Sequence, residues 1–574
     1  MKIKKIHIDK FRSIYKCDIN LKDITAVVGE NNSGKTTILR ALNAFFNFDE
    51  EERFFIDNTH RFMPRANTRI EIVFEEVPDG DYYTDKVEGN LFTVGITYKY
   101  SSKKRTIYYM KNGVEENADE DLLKEIKKDI DYLYVPASRG NYDLSWNENS
   151  IFSILVTEFA RKYTESRDMV SNHVLNASQK LHASILDKIE NQLSELFPSN
   201  ESYKFNINYK SNVDYSILLD NLVLNMQEKE VLYPIQEYGS GIKSLVIITI
   251  FRMLAAMSNK SVILGIEEPE TNLHPQMQKQ FIASMKEGKR ENEVQLLLAT
   301  HSTVIVDELK HDDIILVRRE HHEKRGYISA VTQIKEGFWE RADMEEFNYY
   351  QFFDYRNSDF FFAKYVVITE SKTDTQVIGK LISKELGWKM SYVSLINLNG
   401  ITSLAYPYFL LKELKIPFSV VVDRDFFTEY KEDSLDESRD SITGLPEYKT
   451  VLNETNILRD FLQTTNQKEA VLNALNGKVY KRIFDVLKPY KFYTMMYCLD
   501  MDMTCSGRIC SEYYSYMNML PAEQTQKNLL IGKKKAIKRI DYILKALENV
   551  SAHSYPISLK KIKRGILDDI SEYV

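Results

Sequence analysis

Cysteine is scarce in this sequence, which contains four among 574 residues. So few cysteines in so long a chain exclude a disulfide framework. Cys498, Cys505 and Cys510 lie close together, but they lack the paired CxxC spacing of a zinc site. We therefore interpret them as buried thiols of a protein that stays in a reducing compartment.

Long apolar runs are also missing. No stretch approaches the roughly 18 consecutive apolar residues that a membrane-spanning helix requires. The first residues, MKIKKIHIDKF, are basic but alternate with isoleucine and lack the apolar core and cleavage site of a signal peptide. This pattern predicts a first strand, and hence a cytoplasmic protein without a membrane partner.

An excess of positive charge is absent as well, because the net charge is −7. This balance argues against a protein that coats nucleic acid indiscriminately. Two Lys/Arg clusters, at residues 533–539 and 560–564, are candidates for a local basic groove, although solvated helix faces explain them equally well. At this length the chain should divide into two or three domains.

A glycine-containing segment lies between a strand predicted at Ile24–Val28 and a helix predicted at residues 36–46. It fits the P-loop pattern GxxxxGK[ST] in its proper context. Backbone N–H groups of such a loop cradle phosphate oxygens, and the helix N-terminus adds a favourable field. We expect Lys35 to meet the β- and γ-phosphates of ATP and Thr36 to help hold Mg²⁺. The residues predicted to bind the nucleotide here are Gly29, Asn31, Asn32, Ser33, Gly34, Lys35, Thr36 and Thr37.

Residues 262–270, Val-Ile-Leu-Gly-Ile-Glu-Glu-Pro-Glu, predict an apolar strand that ends in carboxylates. In a Walker B site, one carboxylate touches the Mg²⁺ shell and the next polarises the attacking water. We assign the first role to Glu267 and the second to Glu268. An adjacent pair of glutamates is, taken alone, more often surface charge.

Three further segments accompany this strand. Residues 239–241 open a predicted helix before it, residues 271–274 follow it, and residues 299–302 end another apolar run. The resulting order of motifs, over roughly residues 1–318, resembles the ABC-type ATPases of the SMC and RecF kind. That resemblance implies an ABC signature at Gly239, Ser240 and Gly241 and a switch histidine at His301.

The resemblance also implies how such an ATPase works. Two heads close on ATP, and the signature of one protomer contacts the γ-phosphate bound by the other, so a homodimer or higher homo-oligomer is required. Arg139 falls where related proteins carry a similar Pro-x-x-Arg segment, and a structural role suits it equally well. Residues 150–197 are predicted to form an amphipathic helical hairpin, which is a candidate dimer contact.

A second set of acidic residues lies beyond an aromatic stretch at residues 347–362, where we place the main domain boundary. Glu370 ends one apolar strand, with Asp374 four residues later, and Asp423 and Asp425 end another. Side chains two positions apart on an extended strand point the same way, so Asp423 and Asp425 should face one cation. Convergent carboxylates repel one another unless a divalent cation neutralises them, and oxygen ligands favour Mg²⁺ or Mn²⁺. Separate surface acids are the alternative for either pair alone.

The ExxxD and DxD pairs together resemble the Toprim domain, with residues 398–403 as its middle turn. An ABC-type ATPase followed by a Toprim domain is similar to the OLD (overcoming lysogenisation defect) family of nucleases, which includes Gabija-type and retron-associated effectors. The resemblance implies that the four acids bind metal at a catalytic site. It also implies a later acid, for which Asp500 and Asp502 are candidates, and a lysine among residues 533–535.

These observations predict an α/β protein with an ABC-type P-loop ATPase domain and a Toprim domain of Rossmann-like fold. The predicted bounds are 1–150 and 204–345 for the ATPase domain, 151–203 for a helical insertion, and 360–574 for the Toprim domain with a C-terminal helical extension.

The predicted function is an ATP-binding and ATP-hydrolysing, metal-dependent DNA endonuclease of anti-phage defence, with a possible defence partner encoded nearby. The alternatives are an ATP-dependent sensor or scaffold with an inactive Toprim domain, and a Toprim nuclease that acts on RNA.

Overall fold

The chain divides into two compact units, described separately below. The first unit comprises residues 1–27, 34–305 and 319–329, and the second comprises 28–33, 306–318 and 330–574. The computed structural model describes residues 1–79, 82–140, 142, 144–145, 150–196, 206–207, 214–219, 222–258, 260–287, 294–345, 358–477 and 479–574.

The strands are, in chain order, β1 (Lys2–Phe11), β2 (Ile14–Asn20), β3 (Ile24–Val28), β4 (Thr68–Glu75), β5 (Phe92–Lys99), β6 (Lys104–Lys111), β7 (Val114–Ala118), β8 (Ile130–Val135), β9 (Asn225–Glu228), β10 (Val231–Pro234), β11 (Ser261–Glu267), β12 (Val294–Thr300), β13 (Ile314–His322), β14 (Gly326–Gln333), β15 (Tyr365–Thr369), β16 (Val393–Asn397), β17 (Phe418–Val422) and β18 (Phe492–Thr494).

The α-helices are α1 (Lys35–Phe46), α2 (Phe48–Ile56), α3 (Glu120–Asp129), α4 (Ile151–Lys162), α5 (Thr164–Leu181), α6 (Asp187–Leu196), α7 (Ser216–Leu219), α8 (Ser240–Met257), α9 (Pro275–Glu287), α10 (Thr303–Val306), α11 (Phe338–Arg341), α12 (Lys372–Leu386), α13 (Ala405–Glu413), α14 (Asn456–Phe461), α15 (Thr465–Asn476), α16 (Tyr480–Leu487), α17 (Leu499–Thr504), α18 (Gly507–Tyr516), α19 (Gln526–Gly532), α20 (Lys534–Ile537), α21 (Ile540–Asn549) and α22 (Ile557–Ser571).

Two sheets organise the first unit. An antiparallel sheet has the order β2-β1-β4-β5-β6-β7, and β4 alternates buried and half-buried residues along its whole length, as a sheet with one packed face requires. A second, six-stranded sheet includes the order β3-β12-β11-β8, in which β11 runs parallel to both of its neighbours. Nearly every residue of β11 and β12 is buried, because helices such as α1 and α8 pack on this sheet.

Helix α8 corrects the expectation that no segment is long and apolar enough to cross a membrane. Its 18 residues satisfy that test by length and composition, and a third of them are buried within the protein. The helix packs on β8 and β11, and these contacts account for the part of it that is buried, which includes Ile247, Ile248 and Phe251.

The predicted helical insertion begins with α4, continues through α5, and has a π-helical turn at His182–Leu186 before α6. Within the described chain, α5 buries none of its side chains. Three apolar residues that recur every four positions along this segment are exposed, namely Leu181, Ile185 and Ile189.

The second unit contains a parallel sheet of order β16-β15-β17-β18. All five residues of β15 are buried, and α12 packs against β15 and β16. The C-terminal α22 packs against α12, α16 and β18. Because β15 and β17 are parallel neighbours, the residues that follow them emerge at the same edge of the sheet.

All four cysteines are free thiols, consistent with the absence of a disulfide framework. Cys17 is buried, and the expectation that the three clustered thiols are buried holds for Cys510. It is wrong for Cys505, which is exposed, while Cys498 is half-buried.

Candidate functional sites

The P-loop joins β3 to α1 and has a backbone that requires glycine. Gly34 has φ 109°, and a Cβ there would lie 2.2 Å from Ser329 Oγ and 2.8 Å from Ser13 Oγ. Ser13 Oγ also lies 3.4 Å from Thr37 Oγ1 and accepts a hydrogen bond from Ser329 Oγ at 2.7 Å. These two serines support the loop, and sequence reasoning missed both because neither belongs to the motif.

Lys35 and His301 come together although 266 positions separate them. Lys35 Nζ lies 3.3 Å from His301 Nδ1, and His301 Nε2 lies 3.8 Å from Glu268 Oε1. The structure thus gathers a P-loop residue, a Walker B residue and the predicted switch histidine. Among the other predicted nucleotide ligands, Ser33 and Thr37 are buried, Gly34 and Thr36 are half-buried, and Asn31 and Asn32 are exposed.

Glu267 ends β11 as a buried side chain. Its Oε2 accepts a hydrogen bond from Ala137 N at 3.2 Å, while its Oε1 has no partner within hydrogen-bond distance in the described part of the chain. Burial, followed by the charge of Glu267, raises the pKa of Tyr134. A buried carboxylate oxygen without a donor fits a residue that faces the cation of a bound nucleotide.

Two residues around Glu267 hold the surrounding loops. Glu270 accepts from His301 N at 2.6 Å and from Thr300 Oγ1 at 2.8 Å. Arg139 donates to the backbone carbonyl of Glu267 and to Ser244 Oγ, the latter at 2.7 Å. Glu270 was not among the predicted site residues, and its position three residues after Glu267 was the available signal.

The predicted signature segment caps α8. Gly239 precedes the helix in extended conformation, and a Cβ on Gly241 would lie 2.3 Å from Asn272 O. The segment therefore packs directly on the loop that follows Glu270. A cavity of about 520 Å³ opens beside it, lined in part by Arg139, Ser240, Lys243, Ser244 and Asn272.

Three carboxylates converge at the edge of the parallel sheet of the second unit. Glu370, Asp423 and Asp425 each offer an oxygen within 4.8 Å of the others. Asp423 N donates to Glu370 Oε2 at 3.1 Å, which ties the ends of β15 and β17 together. The strand alternation expected to align the two aspartates is wrong, because Arg424–Phe426 forms a 3-10 turn; the turn brings Asp425 to the group instead.

Asp374 lies in the first turn of α12 and is 6% exposed. Its Oδ2 accepts from Ser371 N at 3.1 Å and from Ser371 Oγ at 2.5 Å, which completes a capping box. Asp374 thus stabilises the helix that follows β15. It lies outside the group of three whose oxygens share 4.8 Å.

The acidic group is half-buried, and its members destabilise one another's charges. Burial, and then the charges of Asp425 and Asp374, raise the pKa of Glu370 to about 7. Burial and the neighbouring acids raise the pKa of Asp423 well above its ordinary value. In the described residues, Asp425 Oδ1 is buried without a hydrogen-bond partner. Desolvated oxygens that repel one another fit a divalent cation, so this donor set suits Mg²⁺ or Mn²⁺.

The two candidates for a later acid have different environments. Both oxygens of Asp502 are occupied, because it accepts from Met496 N at 2.8 Å, from Tyr497 N at 2.9 Å and from the Ser558 hydroxyl. The charge of Asp500, in contrast, raises the pKa of both Asp374 and Asp423. The structure therefore brings Asp500 toward the acidic group and leaves Asp502 as a loop anchor.

The predicted lysine region is partly neutralised. Lys534 forms an ion pair with Asp436 at 2.7 Å, whereas Lys533 and Lys535 are exposed. In the two basic clusters, Arg539 pairs with Asp541 and Lys563 pairs with Glu385.

One other group in the described residues has the spacing of a metal site: His182, Asp187 and Glu190. The imidazole is already occupied, since Nδ1 lies 2.7 Å from Asp187 Oδ1 and Nε2 lies 3.0 Å from the Ile207 carbonyl. A ring with both nitrogens engaged has none left for a metal.

Comparison with known proteins identifies both units. The AAA ATPase domain family matches residues 1–149 and 95–306, and the Toprim domain of overcoming lysogenization defect-like proteins matches residues 361–425. The OLD nuclease of Thermus scotoductus is 22% identical over 74% of this chain and 82% of that protein. Endonuclease GajA of Bacillus cereus HuB5-5 is 20% identical over 71% of this chain and 72% of that protein. The SMC head domain from Thermotoga maritima is 18% identical and covers 58% of this chain and 100% of its own, with a TM-score of 0.31.

Proposed function

This chain belongs to the OLD family, in which an AAA-type ATPase domain precedes an OLD-like Toprim domain, and we propose that it is an ATP-hydrolysing, Mg²⁺- or Mn²⁺-dependent DNA endonuclease. The observation that carries this proposal is the convergence of Glu370, Asp423 and Asp425 within 4.8 Å at the ends of neighbouring strands. Relatives named as nucleases over most of the chain support it.

The acidic residues of the Toprim domain have two proposed roles at the metal site. Glu370, Asp423 and Asp425 are the proposed direct ligands, with Asp374 and Asp500 supplying further negative charge around them. A divalent cation bound there activates water and stabilises the leaving oxygen of a phosphodiester. The backbone N–H of Asp423 orients the Glu370 carboxylate toward the group.

In the ATPase unit, Lys35 and the P-loop backbone are the proposed phosphate ligands, and Thr36 and Glu267 are the proposed ligands of the nucleotide's cation. Glu268 is the proposed residue that orients water, and His301 lies between it and Lys35. Glu270 fixes the backbone at His301.

The proposed assembly is a homodimer or a higher homo-oligomer, in which the signature at Gly239–Gly241 acts on the nucleotide of the partner. The exposed apolar residues of the helical insertion, such as Ile185 and Ile189, are its proposed contact. We further propose that the protein acts in the cytoplasm and in anti-phage defence, with a partner encoded nearby, as the resemblance of its motifs to Gabija-type and retron-associated effectors implies.

A cleavage assay on supercoiled plasmid, with Mg²⁺ or Mn²⁺ and with chelator, tests the nuclease. The wild type should nick or linearise the plasmid only with metal, and Glu370→Ala and Asp423→Ala should be inactive. Glu385→Ala is the matched control, because this acid on α12 is exposed and pairs with Lys563. Equal cleavage by the wild type and Asp423→Ala would refute the assignment.

The same assay separates the two alternatives. A panel of RNA substrates, including tRNA, distinguishes an RNA nuclease, since a metal site contacts phosphates and carries no base readout. A sensor or scaffold predicts ATP-dependent partner binding and no metal-dependent cleavage of any substrate. The convergence of three half-buried acids with raised pKa values favours the nuclease over this second alternative.

A further inference from the structure

A long loop begins just after the DxD pair, and its far end returns to the backbone of that pair. We define it as the 427–453 loop. Its two ends are tied together beside the acidic group, because Asn453 Nδ2 donates to Asp425 O at 2.8 Å and to Phe426 O at 3.1 Å. Asn453 N also donates to Phe427 O at 2.9 Å. The loop is therefore anchored on the backbone of a proposed metal ligand.

The base of the 427–453 loop is a short antiparallel ladder. Lys431 N donates to Glu447 O at 3.0 Å, and Lys449 N donates to Glu429 O at 2.9 Å. The same residues pair through their side chains, Lys431 with Glu447 at 2.7 Å and Lys449 with Glu429 at 2.6 Å. The residues between these rungs therefore have a fixed position relative to Asp425.

Tyr430 and Tyr448 form the bridge of this ladder. Their ring centroids lie 5.3 Å apart, and the guanidinium of Arg424 lies 4.4 Å from the Tyr448 centroid. Arg424 is 4% exposed, so its buried charge is stabilised by the aromatic face. The stack of Arg424, Tyr448 and Tyr430 holds the Tyr430 ring against the turn that carries the DxD pair.

The Tyr430 hydroxyl reaches Asp425, donating to Oδ2 at 3.3 Å. The other oxygen, Oδ1, is buried with no hydrogen-bond partner among the residues that the structure describes. In many metal sites, a carboxylate binds the metal through one oxygen, and its other oxygen accepts a hydrogen bond that fixes its orientation. Asp425 has this arrangement.

We propose that Tyr430 is a positioning residue of the nuclease site, whose phenol fixes Asp425 so that its unpaired oxygen faces the cation shared with Glu370 and Asp423. This inference rests on the proposed metal-dependent nuclease and adds a residue from outside the ExxxD and DxD motifs. Tyr448 contributes its ring to the stack, and its hydroxyl makes no contact with Asp425 in the described hydrogen bonds.

Binding of Mn²⁺ alone to the full-length, nucleotide-free protein tests the proposal without depending on cleavage. Free Mn²⁺ is followed by electron paramagnetic resonance for the wild type, Tyr430→Phe and Tyr448→Phe. Loss of an outer hydrogen bond to a metal ligand lowers affinity by about tenfold, so Tyr430→Phe should bind about tenfold more weakly. Tyr448→Phe keeps the stacked ring and should stay within about twofold of the wild type. Cleavage by Tyr430→Phe should recover at saturating Mn²⁺.

Asp423→Ala and Asp425→Asn distinguish a failure of the positioning role of Tyr430 from a failure of the metal site itself. If both lose Mn²⁺ binding while Tyr430→Phe retains wild-type affinity, the positioning role is wrong and the metal site stands. An equal loss in Tyr430→Phe and Tyr448→Phe also overturns the proposal, because the stack and not the hydroxyl would then matter. If Asp423→Ala binds Mn²⁺ as the wild type does, the metal site itself fails and the inference fails with it. Thermal unfolding shows whether each variant is folded.

Discussion

Partly or fully buried carboxylates of two kinds distinguish the regions of this molecule. Glu270 in the ATPase unit and Asp502 in the Toprim unit each accept hydrogen bonds on both oxygens from nearby donors. Glu370 and Asp423 lie against other acids, and one described hydrogen bond, from Asp423 N, joins them. The charges of the first kind are stabilised by hydrogen-bond donors of the protein, whereas those of the second kind mainly face other negative charges.

This difference distinguishes acids that stabilise the fold from acids that bind a metal. Burial raises the pKa of all four carboxyls, so a raised pKa alone does not identify a functional acid. The arrangement of partners does, because a carboxylate held by N–H donors fixes a loop, whereas one that faces other carboxylates requires a cation. The predictions below test this distinction.

The largest expected effects separate the two sites from each other. Lys35→Ala should reduce ATP hydrolysis by at least about 100-fold, because a preorganised positive charge at the transferring phosphate is lost, while Mn²⁺ binding at the Toprim site persists. Asp423→Ala should abolish Mn²⁺ binding and plasmid cleavage while ATP hydrolysis continues. Parallel measurement of phosphate release and Mn²⁺ binding checks both. Loss of both activities in both variants would contradict two independent sites.

A smaller effect on ATP hydrolysis is expected from Glu270, whose two oxygens both accept hydrogen bonds. Glu270→Gln keeps one acceptor but places an NH₂ group against the Thr300 hydroxyl or His301 N, so His301 should lose its fixed position. We expect ATP hydrolysis to fall by about tenfold with nucleotide affinity unchanged, since misplacing a catalytic group costs rate more than binding. Steady-state hydrolysis and binding of a fluorescent ATP analogue measure the two. Glu52→Gln, at an exposed acid of α2, is the control, and an equal reduction there would argue against a specific role.

Much of the fold follows from local patterns. The P-loop, its flanking β3 and α1, and the strand ends at Glu370 and Asp423 are each encoded within about ten residues, where periodicity and turn chemistry are decisive. The ATPase-plus-Toprim fold class is confirmed by the family matches.

The rest depends on contacts between distant segments. Ser329 supports Gly34 across almost 300 positions, and Asp502 is fixed by Ser558. The resemblance to the OLD family implied a later acid and left Asp500 and Asp502 as equivalent candidates for it. Side chains two positions apart on a helix point in different directions, and α17 is a helix.

The Asp500 and Asp502 pair offers the next test. Asp502→Asn should lower the free energy of unfolding by about 2 kcal/mol, because hydrogen bonds to a buried charged acceptor contribute about 1.5–3 kcal/mol. Asp500→Asn should change the free energy of unfolding by about 1 kcal/mol or less, because the half-buried Asp500 accepts one described hydrogen bond, from Cys498 Sγ at 3.1 Å. It should weaken Mn²⁺ binding instead. Urea unfolding and Mn²⁺ titration of both variants measure these effects. The opposite assignment of the two effects would reverse the roles given to these acids.

The smallest effect concerns a buried base and extends the distinction to pH. His311 is buried beside Phe360 and Phe361, its Nδ1 lies 2.7 Å from the Tyr406 hydroxyl, and burial lowers its pKa to about 3. Between the ordinary pKa of about 6.5 and this value, the unfolded chain binds a proton that the folded chain excludes. The contribution of His311 to stability should therefore fall by about 1.4 kcal/mol per pH unit as the pH drops below 6.5. The raised pKa of Glu370 acts in the opposite direction, so the effect is read as the difference between the wild type and a His311 variant.

His311→Asn removes the titrating ring and keeps an acceptor for Tyr406, so its stability should depend less steeply on pH by that amount. Urea unfolding at several pH values between 7.5 and 5 measures the slope. His553→Asn, at an exposed histidine, should follow the wild type. If His311→Asn and the wild type run parallel, His311 takes up its proton in the folded protein as readily as in the unfolded chain, and burial does not control its pKa.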